Sequence, residues 1–271
     1  MNGVTQSSFG KLTGRLFLLA FKRSLALCMA LFALTMILMM ASVNNFSFIF
    51  AYESLIMRAG IRYVFLAGIA FCMILEAAGI YAEAFKNGGV YTLMMLPMPR
   101  RNVFLAYCVR GTVCMLMLFT VQTLALLASY APVVALCRNA AEVYSQASGT
   151  ALPFAAERTN GLFLAIIRSD LFHILLPQSI PEAISSLLAL LAAGFLPAYT
   201  LAGGFRIRAA QIVFLVSSVV CVFWALGCRF DSVTMGVDVT AFIISTALMA
   251  FFAAGAVVGG VRRLNKDASL V

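Results

Sequence analysis

An all-α integral membrane protein with six spanning helices is the fold class this sequence predicts, and three observations carry it. Of the 271 residues, 63% are hydrophobic and 11% are charged, with a mean hydropathy of +1.01. Soluble domains carry roughly a quarter charged residues, so lipid is the solvent for most of this chain. Six apolar runs reach the roughly 20 residues that a bilayer crossing needs. Between them, basic residues concentrate in alternate loops. The length leaves room for a single transmembrane domain over 1–271 and none for a separate soluble catalytic module.

The spans are expected at Ser24–Val43, Arg62–Ala82, Val103–Tyr130, Ala183–Leu201, Ala209–Leu226 and Val239–Val261. Each should be helical, because a segment surrounded by hydrocarbon must satisfy its own backbone. The first is not expected to be a cleaved signal peptide: it exceeds the roughly 7–15-residue apolar core of such a leader and lacks a clear small-x-small cleavage site.

Ahead of that span, residues 1–23 predict an amphipathic helix on the membrane surface. Phe9, Leu12, Leu16 and Leu19 recur at helical spacing, with Lys11, Arg15 and Lys22 on another face. Leu18 breaks the pattern. The alternative is a cytosolic extension of the first span.

Orientation follows from charge. One set of loops holds Lys11, Arg15, Lys22, Arg23, Lys86, Arg100, Arg101, Arg206, Arg208, Arg262, Arg263 and Lys266, against the two acids Glu83 and Asp267. The opposite set holds Arg58, Arg62, Arg138, Arg158, Arg168 and Arg229, outnumbered by Glu53, Glu142, Glu157, Asp170, Glu182, Asp231 and Asp238. Loops rich in Lys and Arg stay in the cytoplasm. Both termini and the 83–101 segment are therefore expected inside a plasma membrane. The net charge of +9 reflects this rule and not nucleic acid, since no basic patch with interleaved aromatics exists.

The longest stretch between spans, 131–182, is expected outside. Ser145–Thr150 reads as a loop. Gly161–Leu176 turns apolar again, interrupted by Arg168, Asp170 and His173 and stopped by Pro177 and Pro181. It reads as an amphipathic helix at the interface. A seventh span is the competing reading, and it would bury three polar groups.

Little in the sequence points to catalysis. His173 is the only histidine, which excludes a multi-histidine metal site, and an interfacial polar tip is the usual role of such a residue. There is no G-x-x-x-x-G-K-[ST] loop for ATP, no G-x-S-x-G elbow and no adjacent carboxylate pair. The seven cysteines lack metal-site spacing and read as small buried hydrophobes. Cys137 and Cys228 fall near one predicted face, where they could pair.

Two charges fall inside spans. Glu76 lies in the second and Arg110 in the third, each about 10 Å from the inner end at about 1.5 Å per residue. Equal depth on consecutive antiparallel helices favours an ion pair, because an unpartnered charge in the membrane is costly. The alternative is an Arg110 that snorkels to the inner phosphates while Glu76 reaches water.

Residues 83–107, EAFKNGGVYTLMMLPMPRRNVFLAY, hold the most informative break. Gly88-Gly89 loosens the backbone, Tyr91–Leu96 suits a turn or two of helix, and Pro97 and Pro99 end it. Arg100 and Arg101 follow. Such a stiff knob between two spans suits docking on something outside the bilayer.

This run resembles the cytoplasmic connector of the type-2 ABC exporter permeases. In that family an acidic residue precedes a basic one, a Gly-Thr-like pair, a short leucine-rich coupling helix, a Leu-Pro-x-x-Arg stretch and an apolar restart. Glu83, Lys86, Gly88-Gly89, Leu93–Leu96, Pro97, Arg100 and Val103–Leu105 fill those places here. Tyr107 stands where the family usually has lysine, and Gly89 where it has threonine. The resemblance extends to six spans with both ends inside, though the large outer segment here precedes the fourth span.

The resemblance implies a non-catalytic permease subunit of an ATP-driven exporter, with Mg-ATP bound and hydrolysed in separate cytosolic P-loop ATPase chains. A second permease copy or related chain would complete it. Tyr91, Thr92, Leu93, Met94, Met95, Leu96, Pro97, Arg100 and Arg101 would meet the ATPase, Met94 and Met95 as adaptable apolar contacts. The cargo would be amphipathic or hydrophobic. The alternative function is an ion-gradient-driven transporter or channel without an ATPase.

Overall fold

The computed structural model describes residues 2–44, 50–83, 99–149, 161–200, 209–230 and 239–266. Among them there is no strand. Nine helices form: α1 Asn2–Ala41, α2 Tyr52–Arg58, α3 Ile61–Tyr81, α4 Arg100–Ser148, α5 Gly161–Arg168, α6 Asp170–Leu175, α7 Ile180–Tyr199, α8 Ala209–Phe230 and α9 Val239–Lys266. Six of them (α1, α3, α4, α7, α8 and α9) are long and apolar enough to cross a membrane, the arrangement of a multi-pass membrane protein.

The N-terminal region forms one helix, not a surface helix followed by a separate span. A single stripe explains it. Leu16, Ala20, Ser24, Cys28, Leu31, Thr35 and Met39 are all buried and recur every three or four residues. This stripe crosses the expected boundary at Ser24 without changing face, so one side of α1 packs continuously on α3 and α4. Leu19, expected on the apolar face, is 52% exposed.

A turn at Ala59-Gly60 joins α2 to α3. Gly60 holds φ +67°, a left-handed conformation that side chains disfavour. The short α2, which the sequence reading missed, is pinned by Tyr52. Its hydroxyl donates to the Leu126 carbonyl at 2.7 Å and lies 2.8 Å from Ser129 Oγ. Its ring meets Tyr130 edge-on at 5.1 Å between centroids. Burial pushes the Tyr52 phenol up to about 12.

The third spanning helix is much longer than expected. α4 runs 49 residues through Pro132 and ends only at Gly149, whose φ of +67° closes the last turn on the Ser145 carbonyl. Ser145–Ser148, expected in a loop, is its final turn. At about 1.5 Å per residue α4 is about 74 Å long, over twice a hydrocarbon core of roughly 30 Å. Loss of apolar character after Tyr130 marks an exit from lipid, not the end of a helix. Buried Val133 and Cys137 keep the extension packed.

The expected helix over 161–176 is two helices, broken at Ser169 (φ −89°, ψ 123°). The break is stabilised because side chains take over the carbonyls at the end of α5. His173 Nε2 lies 2.6 Å from the Ile167 oxygen, and Gln178 Nε2 donates to the Ile166 oxygen at 3.0 Å. α7 then begins at a cap in which Ser179 Oγ accepts from the Glu182 N–H, with Pro181 in the first turn.

α4 and α7 cross at close range. A Cβ on Gly111 would overlap the Gly194 carbonyl oxygen, and one on Gly194 would stand 2.6 Å from the Thr112 backbone nitrogen. The two backbones touch, as small residues allow in membrane bundles. Gly255 and Gly259 face Phe214 and Tyr199, and a Cβ on Gly260 would enter the Phe104 ring. No disulfide joins Cys137 to Cys228.

Gly111→Val should lower the thermal unfolding midpoint in mild detergent, at a cost of about 1–3 kcal/mol for overpacking. Gly255→Ala should do less, because its neighbour is the rim of a ring at 3.3 Å.

Candidate functional site

Three helices bring four charges together at the end of the bundle where α3 leaves for residues 84–98. Glu76 of α3 and Glu83, two residues past the end of that helix, are seven residues apart and lie on the side that faces Arg110. Past Tyr81 the chain widens into an i→i+5 turn at Ala82 and Glu83. Such turns often mark functional positions. On α4, Arg110 sits one turn from Tyr107 and one from Cys114. On α1, Arg23 and Ser24 border the same space.

Arg110 is the centre. It is 1% exposed, and its Nε donates to Glu76 Oε2 at 3.0 Å while Nη1 donates to Glu83 Oε2 at 2.6 Å. The rigid guanidinium fork suits this double grip better than a lysine would. Glu76 Oε1 also accepts from Ser24 Oγ at 3.3 Å, and Ser24 Oγ is 3.3 Å from Cys114 Sγ. Glu83 Oε1 lies 3.4 Å from Nη2 of Arg23, whose side chain is 46% exposed. The Tyr107 ring is 5.7 Å from the guanidinium carbon of Arg110.

Room for two cations comes from Gly79, midway between the acids. A Cβ there would stand 2.5 Å from Arg23 Nη1 and 3.2 Å from Arg110 Nη2. Two carboxylates meet two guanidiniums, so the cluster is neutral overall. It is graded from a dry inner pair at Glu76 to a wetter outer pair at Arg23. A displacement of Glu83 would load Arg110 and Arg23 at once, and through them α4 and α1.

Of the residues the sequence singled out, Glu76 and Arg110 are joined directly. Arg101 is exposed near the start of α4, and the α4 backbone begins at Arg100. Tyr91, Thr92, Leu93, Met94, Met95, Leu96 and Pro97, the expected coupling helix, lie outside the described residues. Sequence reasoning missed Glu83, Arg23 and Ser24 as members of the cluster. The seven-residue spacing of the two acids around Gly79 was the available signal. It also missed a polar pair deeper in the bundle, where Thr35 Oγ1 donates to Gln122 Oε1 at 3.3 Å. Gln122 Nε2 has no hydrogen-bond partner among the described residues.

A second polar cluster gathers at the other end of the bundle. Buried Arg229 of α8 donates to Ser186 Oγ at 2.6 Å and to the His173 carbonyl at 2.9 Å. Among the described residues, no three His, Cys, Asp or Glu side chains are placed to hold a metal. Comparison with family models, curated proteins and solved structures gives no significant match.

Arg110→Ala should destabilise the protein by about 3–5 kcal/mol, because it strands the buried Glu76 carboxylate and leaves Glu83 only its longer contact to Arg23. Arg110→Met combined with Glu76→Gln should cost less than the sum of the two single changes. Thermal unfolding of the purified chain and its three variants measures this coupling.

Proposed function

We propose that this chain is the membrane-spanning permease subunit of an ATP-driven exporter of the type-2 ABC kind. Its nucleotide is hydrolysed by separate cytosolic P-loop ATPase subunits, and it works beside a second permease chain in the plasma membrane. One observation carries the reading. The acid that opens the resemblance, Glu83, is the residue clamped by Arg110 and Arg23. A connector that transmits force needs a stiff root, and this cluster supplies one to α1, α3 and α4 together.

Other features support it. Six helices suited to a bilayer fit the organisation of such permeases. The charge asymmetry of the sequence favours a cytosolic position for both termini and residues 84–98, where an ATPase would meet the Tyr91–Leu96 coupling helix, Pro97, Arg100 and Arg101. In this reading ATP-driven closure of the ATPase pair pushes the connector, and the clamped Glu83 passes that displacement into the bundle. The apolar interior suits an amphipathic or hydrophobic cargo.

The buried Glu76–Arg110 pair gives a second reading its only support. Charges inside spans also mark ion pathways, so an ion-gradient carrier or channel is the alternative. Vesicles separate the two. With the ATPase partner present, transport should require ATP. Full-rate transport by this chain alone, driven by a proton or sodium gradient without nucleotide, rules out the exporter.

Aspartate at Met94, Met95 and Leu96 should uncouple ATP hydrolysis from transport while leaving membrane insertion intact. Unchanged coupling in that triple variant would show that residues 91–97 are only a loop.

A further inference from the structure

In the strap formed by α5, α6 and residues 176–179, the end of α6 and the two residues after it, Ile174 to Pro177, wall one side of an apolar groove of about 370 Å³. Ile174 to Pro177 face Leu116, Phe119 and Leu124 of α4 and Leu187 and Leu190 of α7 across it. What holds the strap to α7 therefore sets the width of the groove. Ser186 Oγ donates to the Ile174 carbonyl at 2.9 Å, and Gln178 N–H donates to Glu182 Oε2 at 3.0 Å. Ser179 Oγ also accepts from the Glu182 N–H at 3.5 Å, and a further side-chain tie is His173, whose Nδ1 is 3.4 Å from Glu182 Oε2.

His173 has an acceptor at each ring nitrogen. Nε2 faces the Ile167 carbonyl at 2.6 Å, and Nδ1 faces a carboxylate. A neutral imidazole has one N–H and can satisfy only one of them; an imidazolium satisfies both. On loss of the proton the shorter bond to Ile167 keeps the hydrogen, and the Nδ1 lone pair is left against Glu182. The side chain is 19% exposed, so the proton can exchange with solution.

The charged groups around it are Glu182 on α7, Arg229 on α8 at the His173 carbonyl, buried Asp170 on α6 itself, and Arg168 on α5, which lies 3.8 Å from Glu53 of α2. Glu182 is the carboxylate in contact with the ring. We propose that His173 and Glu182 form a proton-operated latch: acid fastens the strap to α7 and narrows the groove, and loss of the proton releases it. This does not depend on the function proposed above.

Backbone hydrogen exchange of residues 170–176 tests it, with the full chain in lipid nanodiscs and the intrinsic pH dependence of exchange divided out. Exchange should be about two- to five-fold slower at about pH 5.5 than at about pH 8, the effect of a partly exposed ion pair across the range where imidazole changes charge. Glu182→Gln should abolish the difference, and so should His173→Gln, which keeps a donor for Ile167. Equal protection at both pH values in the unaltered chain overturns the latch, as does a pH effect that survives Glu182→Gln. The second variant decides even if the first fails to fold.

Discussion

The Arg110 guanidinium is the constraint around which the bundle is organised. It is fully enclosed, yet it carries a charge that must be met by other charges. Glu76 of α3 and Glu83 just beyond its end meet it, and Ser24 and Arg23 of α1 complete their coordination. Apolar packing between membrane helices is weakly specific, because lipid tails offer the same contacts as a leucine. A charged centre with fixed donor directions is specific. It permits one rotation and one height for each of the three helices.

The glycines matter because they make room for that centre. Gly79 lets two guanidiniums approach the α3 backbone, and the Gly111–Gly194 contact brings α7 against α4 one residue beyond Arg110. Polar specificity and close backbone packing thus occupy the same level of the bundle. Farther along, the interior is held by apolar side chains, with the Thr35–Gln122 pair as an exception. At the opposite end a second set of hydrogen bonds ties short helices to the long ones. The end proposed to receive force is cross-linked by ion pairs among three segments. At the other end a strap is fastened by contacts that solvent can reach.

Much of this was legible in advance. Six apolar runs became six helices, their ends displaced by a few residues except in α1 and α4. Those two exceptions have one cause. Composition reports where a segment leaves lipid, whereas a helix continues as long as its backbone bonds and buried stripe continue. The split at Ser169 was not legible, because it depends on His173 and Gln178 reaching back to carbonyls that helical periodicity assigns to the helix itself. Glu76 and Arg110 stood out because charge inside lipid is rare. Glu83 stood out only as the acid that opens the connector motif, and nothing in its spacing from Arg110 and Arg23 announced that it meets them.

Sequence alone determined the environment: lipid for most of the chain, helices as the element that survives there, and few candidates for buried charge. These follow from transfer free energies, which composition and spacing report directly. Tertiary structure decided which side chains meet. That Arg110 grips two acids, that Arg23 closes the cluster from α1, and that His173 sits between a carbonyl and a carboxylate depend on helix rotations and heights. Those are set only when three or more helices pack at once.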